Sequence, residues 1–290
     1  VTTVLLVRHG LTASTGRLLT GWTPGITLDD RGLAQAKALA ERLAPVPLDA
    51  IVTSPLERCQ QTAEAIASVR TGRGRAVADE LSGATGERGS EARAVLAPGS
   101  APGTPGAAHG APEAERGLVD GRAGSSAAGQ PVVDDRVGEC RYGDWTGKPL
   151  AELAKDPLWP VVQAHPSAVR FPGPDGEAML DMQHRATSAI RDWNEKLGPE
   201  ATYVVCSHGD VIKAIVVDAL GLHLDMCQRI QADPCSLTVI RYTPLRPFVV
   251  RMNDLGGSVT DLLPRREEGG KAELGISDAA VGGGAGGTGE

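Results

Sequence analysis

The sequence predicts a three-layer α/β/α fold with a mostly parallel central sheet, and three observations predict it. Runs of β-formers alternate with stretches of helical periodicity along most of the chain. The opening run, TTVLLV at residues 2–7, is apolar almost without interruption, as a strand covered on both faces must be. The same pattern, a β-branched run closed by a His-Gly pair, returns in TYVVCSHGD at 202–210.

The elements follow in order. After the first strand, Asp29 is placed to cap a helix in which Leu33, Ala36, Ala40 and Leu43 recur at helical spacing. DAIVTS, 49–54, reads as the second strand. It runs into SPLERCQQTAEAIA, where Ser54 and Glu57 have the S-x-x-E spacing of a capping box and Pro55 takes the first helical position. Residues 97–112 are Ala, Pro, Gly or Ser except at Thr104 and His109, a composition that buries too little apolar surface to offset ordering entropy. With its flanks, about 82–130, this stretch is expected to be a disordered insertion.

Beyond it PVVDDRVGE, 131–139, reads as extended. A long helix is predicted over 177–197 with Leu180, Ile190, Trp193 and Leu197 on its buried side. The strand at 202–210 feeds a helix over VIKAIVVDALG, and strands at 236–242 and 248–252 close the set. From 257 the chain leads into GGGAGGTGE and is expected to be a disordered tail, leaving one interrupted domain over 1–256.

With 41% hydrophobic residues the 290-residue chain can build a sizeable core. A formal charge of −7 argues against a nucleic-acid binder, so an anionic ligand must be met by a local cluster of arginines. The five cysteines, at 59, 140, 206, 227 and 235, form no C-x-x-C pair, and reduced thiols in a cytoplasmic protein are the simplest reading. No apolar run approaches eighteen residues and no secretory pattern opens the chain, so neither membrane insertion nor secretion is expected.

In a parallel sheet, ligands bind beyond the carboxyl ends of the strands. His9 and His208 each sit at such an end, and Arg58 falls in the first turn of the helix after the second strand. A lone histidine is usually structural, and His109, His165, His184 and His223 are given no role. Metal binding would want carboxylates beside the histidine pair, whereas Arg8 and Arg58 would repel a cation. Clustered guanidinium groups are best satisfied by phosphate, which they grip bidentately.

LVRHGLT, TSPLERCQQTA, GECRYGDWTG and VVCSHGDVIKAI, in that order, closely resemble the histidine phosphatase superfamily, also called phosphoglycerate mutase-like, and within it the bacterial phosphatase branch. The resemblance implies the phosphoglycerate mutase-like fold and a phosphorylated His9 as nucleophile. Arg8, Arg58 and His208 would clamp the phosphoryl group, and Glu139 would be the proton donor and acceptor. Without its surrounding block Glu139 would read as a solvated carboxylate, and Asp134, Asp135 and Asp144 compete for the role. Thr20 and Gly21 occupy the stretch that lies against substrate in relatives, with a simple turn as the alternative. Backbone N–H groups near Gly10 and Gly209 would add donors, because glycine lets the chain approach a ligand closely.

The sequence departs from the family at Leu11, where relatives often carry an acidic residue, and at Thr15, where an asparagine commonly helps hold phosphate. Thr15 would supply a hydroxyl instead. The expected activity is a phosphomonoester hydrolase acting on a small phosphorylated metabolite, with no metal, no cofactor and no nucleic-acid or membrane partner. A homo-oligomer is left open. A phosphoglycerate-type mutase and a catalytically idle phospho-ligand binder or scaffold are the alternatives. Arg170 would read a second anionic group or sit on the surface.

Overall fold

The computed structural model describes residues 1–69 and 130–256. The expected insertion, apart from Gln130, and the expected tail from 257 lie outside the described residues, as does His109. Strand β1 (Thr2–Arg8) is followed by helix α1 (Asp30–Leu43), strand β2 (Ala50–Thr53) and helix α2 over 57–69. After the short strand β3 (Val132–Val133) come α3 (Leu150–Leu153), α4 (Trp159–Ala164) and the long α5 (Met179–Leu197). Strand β4 (Thr202–Ser207), helix α6 (Gly209–Ala219) and strands β5 (Leu237–Tyr242) and β6 (Pro247–Asp254) complete the described chain.

The strands form one sheet in the order β3-β2-β4-β1-β5-β6. The first four are mutually parallel, β5 runs antiparallel to β1, and β6, antiparallel to β5, returns to the common direction, so the mostly parallel sheet expected from the sequence is present. Alternation along β1 divides the core into two layers. Val4 and Leu6 pack with α5 and α6, and Leu5 and Val7 pack with α1 and α2. Tyr203 and Val205 against Val204 and Cys206 repeat the division on β4. Helix α6 is enclosed along nearly its whole length, as its run of Val, Ile and Ala demands.

Several local expectations are corrected. Leu33 and Leu180 are each half exposed (49%), and the buried stripes are Ala36, Leu39, Ala40 and Leu43 on α1 and Met179, Met182, Ala186, Ala189, Ile190 and Trp193 on α5. Leu180 is one residue, about 100° around the helix, from Met179, which takes the core-facing place. The capping box at Ser54 and Glu57 is not closed. Glu57 Oε1 instead accepts from Gly25 N–H at 2.9 Å, and Ser54 Oγ accepts from Leu56 N–H at 3.3 Å while also bonding a buried histidine. PVVDDRVGE is extended only at Val132 and Val133, because Asp134 Oδ1 takes the N–H of Arg136 and starts a 3-10 turn over Asp135–Val137. Asp29 does cap α1, through Gly32 N–H at 2.8 Å. No helix among the described residues is long and apolar enough to cross a membrane.

Candidate active site

β1 and β4 pair in parallel with Arg8 opposite Ser207, so His9 and His208 leave the same end of adjacent central strands. Their rings meet edge-on, centroids 5.2 Å apart. The backbone beneath His9 is held from both sides: its N–H donates to Ser207 O at 3.0 Å, and Cys235 N–H donates to Arg8 O at 3.0 Å. Gly10 continues the turn for a reason other than ligand approach. A Cβ there would come within 2.6 Å of Gly32 O at the start of α1, and the Gly10 N–H is donated to Thr62 Oγ1 at 3.2 Å. Gly10 is thus required by packing of β1 against α1, which corrects the expectation of a free donor at that position.

Arg58 on α2 ties the histidines together. Its Nε donates to His9 Nε2 at 3.3 Å, and its Nη2 lies 3.3 Å from His208 Nδ1 and donates to Gly21 O at 2.9 Å. Gly21 adopts a φ of +48°, the left-handed region where glycine is unstrained, in the turn that presents this carbonyl. Arg58 Nη1 is buried with no hydrogen-bond partner among the described residues. Arg8, also buried, donates from Nη1 to Ala232 O at 2.7 Å.

These contacts fix the protonation of His9. Nδ1 lies 2.8 Å from the Gly10 carbonyl oxygen, an acceptor, so the ring hydrogen sits there. Nε2 faces a guanidinium that can only donate and therefore carries the lone pair. Burial, then the charges of Arg58 and Arg8, hold the His9 pKa well below 6.5, against the opposing effect of the Gly10 bond. His208 is lowered in the same way by burial, then Arg58, His9 and Arg8. Its Nε2 bonds Ser54 Oγ at 2.8 Å and approaches Cys59 Sγ at 3.3 Å. Burial pushes the Cys59 thiol up to about 12, so that neighbour stays neutral.

Glu139 follows the 3-10 turn on a segment of irregular backbone. Its Oε2 lies 3.6 Å from His208 Nδ1 and its Oε1 accepts from Cys140 N–H at 3.0 Å. Burial first, and the carboxylate of Asp210 second, raise its pKa to about 7 against the pull of Arg58, the Cys140 N–H and Arg8. The competing carboxylates are placed elsewhere. Asp135 and Asp144 are exposed, and Asp134 pairs with Arg136 at 2.9 Å and accepts from Trp193 Nε1 at 2.9 Å.

A cavity opens over this group, with Arg8, His9 and Glu139 on its wall. Thr15, Thr20 and Gly21 also line it, together with Thr12 and the leucines 18, 19 and 150. Thr15 Oγ1 accepts from Thr12 N–H at 2.9 Å and lies 3.0 Å from Thr12 Oγ1. Arg58, His208 and Gly209 are not on the wall, and Gly209 is the first residue of α6. His165, His184 and His223 are exposed, and Arg170 pairs with Asp181 on the surface at 2.8 Å. Sequence reasoning missed Ser54 as a partner of His208, Asp210, and the Tyr142 hydroxyl that donates to Asp210 Oδ2 at 2.8 Å. Only the adjacency of Asp210 to the His-Gly pair could have signalled any of them.

Comparison with known proteins bears on the family and the fold. The family model of the histidine phosphatase superfamily (branch 1) matches residues 4–80 and 122–255. An uncharacterized protein of Mycobacterium tuberculosis, Rv0525, is 43% identical over 67 residues, which are 23% of this chain and 33% of that protein. The match thus spans about a third of that relative's length. A putative phosphoserine phosphatase 2 of Hydrogenobacter thermophilus is 26% identical over 134 residues, 43% of this chain and 61% of the relative. Among solved structures, Bacillus stearothermophilus YhfR superposes with a TM-score of 0.61 at 24% identity, covering 88% of this chain and 98% of that one, a likeness of fold. With the family model matched on both sides of the central stretch and the phosphoglycerate mutase-like fold in place, the chain belongs to the histidine phosphatase superfamily.

Proposed function

We propose that the protein is a phosphomonoester hydrolase that works through a phosphohistidine on His9. The observation that carries this reading is the His9 ring itself, neutral, with its hydrogen committed to Gly10 O and its Nε2 lone pair directed at the arginine cluster. Such an imidazole attacks phosphorus without first losing a proton. As the N–P bond forms, the bond from phosphorus to the ester oxygen breaks, and the Glu139 carboxyl gives that oxygen its proton. In the second step the Glu139 carboxylate takes a proton from water, the water oxygen attacks phosphorus and the P–N bond breaks. Inorganic phosphate leaves, with His9 neutral and Glu139 protonated again.

Charge on the three equatorial oxygens is met by Arg8, Arg58 and His208. The unpartnered Nη1 of buried Arg58 supports that role, as does the start of α6 at Gly209, directly after His208. Thr15, Thr20 and Gly21 bound the space for the leaving group. Three threonines and three leucines on the cavity wall suit a small hydroxylated alcohol better than a polyanion.

The test is phosphate release from a panel of small phosphomonoesters in the presence of EDTA, with an acid-labile phosphoenzyme trapped in wild type. His9→Ala is expected to abolish the phosphoenzyme and lower kcat/KM by about 10⁴-fold or more. Full activity in that variant overturns the proposal. Conversion of 3-phosphoglycerate to 2-phosphoglycerate with a bisphosphoglycerate primer, without net phosphate release, would identify a mutase instead.

A further inference from the structure

Glu139 does not reach its place through its own side chain. Its carboxylate is held by the N–H of the adjoining Cys140, so the backbone of residues 136–141 decides where the acid sits. That backbone is irregular after the 3-10 turn, and its carbonyls need partners from outside.

Arg185, on α5, supplies them. Nη1 donates to Arg136 O at 2.7 Å and to Gly138 O at 2.8 Å, and Nη2 donates to Glu139 O at 2.9 Å. Nε and Nη2 also grip the Glu177 carboxylate at 2.6 and 2.9 Å. A guanidinium has five N–H donors, and each meets an acceptor here. The second Glu177 oxygen accepts from Arg141 N–H at 3.1 Å, so the ion pair fastens the segment on both sides of Glu139. Trp22 Nε1 closes the arrangement on Glu139 O at 2.6 Å.

We propose that Arg185, oriented by Glu177, is the positioning residue for the general acid, holding the 136–141 backbone so that the Glu139 carboxyl lies against His208. The proposal rests on the reading of Glu139 as proton donor. A lysine could not substitute, since one ammonium cannot span three carbonyls and a carboxylate.

The experiment compares kcat/KM for benzyl phosphate, whose alkoxide must be protonated as it leaves, with that for 4-nitrophenyl phosphate, whose phenolate leaves as an anion. Arg185→Met is expected to lower the first by about 10²-fold and the second by less than about 5-fold. Glu177→Gln is expected to give the same split at smaller amplitude, and keeps the test open if Arg185→Met fails to fold. Equal losses on both esters, or none, in a variant that still binds vanadate overturn the positioning role. Glu139→Gln, assayed alongside, separates the two ideas. If it shows the split and the Arg185 and Glu177 variants do not, positioning falls alone; if it shows none, the acid role of Glu139 falls.

Discussion

Burial acts on both His9 and Glu139, and it moves their pKa values in opposite directions. It makes His9 a weaker base, so Nε2 stays free down to pH values well below 6.5, and it makes Glu139 a weaker acid that keeps its proton up to about pH 7. The kcat/KM for an alkyl phosphate is therefore expected to be level between these values and to fall above about pH 7, while 4-nitrophenyl phosphate shows no such alkaline fall. Asp210→Asn removes the like charge that helps raise Glu139, and is expected to move that limb to lower pH. The same shift bears on stability. Unfolded Glu139 releases its proton near 4.5 and folded Glu139 near 7, so stability declines as pH rises between them, by an amount on the order of 3 kcal/mol. Glu139→Gln should accordingly raise the Tm at pH 8 and leave it near the wild-type value at pH 4, as calorimetry would show. Among four nearby acidic residues, the sequence separates Glu139 from Asp134, Asp135 and Asp144 only through the family resemblance of the GECRYGDWTG block around it. What separates them is enclosure, and enclosure comes from distant residues such as Trp22 and Arg185.

Elements were legible where their chemistry is local. β-branched runs marked β1, β4 and β5, and Asp29 marked the start of α1. Phase was less legible than period. The spacing of apolar residues on α5 fits more than one stripe, and packing against α6 selected the one containing Met182, Ala186 and Ile190 and left Leu180 half exposed. The energetic consequence can be measured by urea denaturation. Ile190→Ala is expected to cost about 2–5 kcal/mol, and Leu180→Ala less than about 1 kcal/mol. The failed capping box has a similar cause, since Ser54 and Glu57 each found a tertiary partner outside the helix end. At the junction of β1 with α1, Gly10→Ala should cost about 1–3 kcal/mol by overpacking against Gly32. Because the shift falls directly on His9, activity should fall further than stability accounts for.

Across the whole molecule, the reactive groups are assembled from parts of the chain about 200 residues apart, joined by the β1–β4 pairing. The order of strands was open to the sequence only through the repeated His-Gly ending, which placed both histidines at one edge without fixing which strands are neighbours. A ligand that bridges Arg8, Arg58 and His208 would join the ends of β1 and β4 to the start of α2 and should report on the fold as a unit. Vanadate at about 100 times its Kd is expected to stabilise the protein by about 2.7 kcal/mol in thermal unfolding, and Arg58→Met to remove most of that gain. The bond from His9 Nδ1 to Gly10 O has one last consequence. With that nitrogen occupied, both transfers of the proposed mechanism would have to use Nε2, each with inversion at phosphorus. Two inversions cancel, so a phosphorothioate ester made chiral at phosphorus with two oxygen isotopes, hydrolysed in water carrying the third, should release chiral inorganic thiophosphate with retention of configuration.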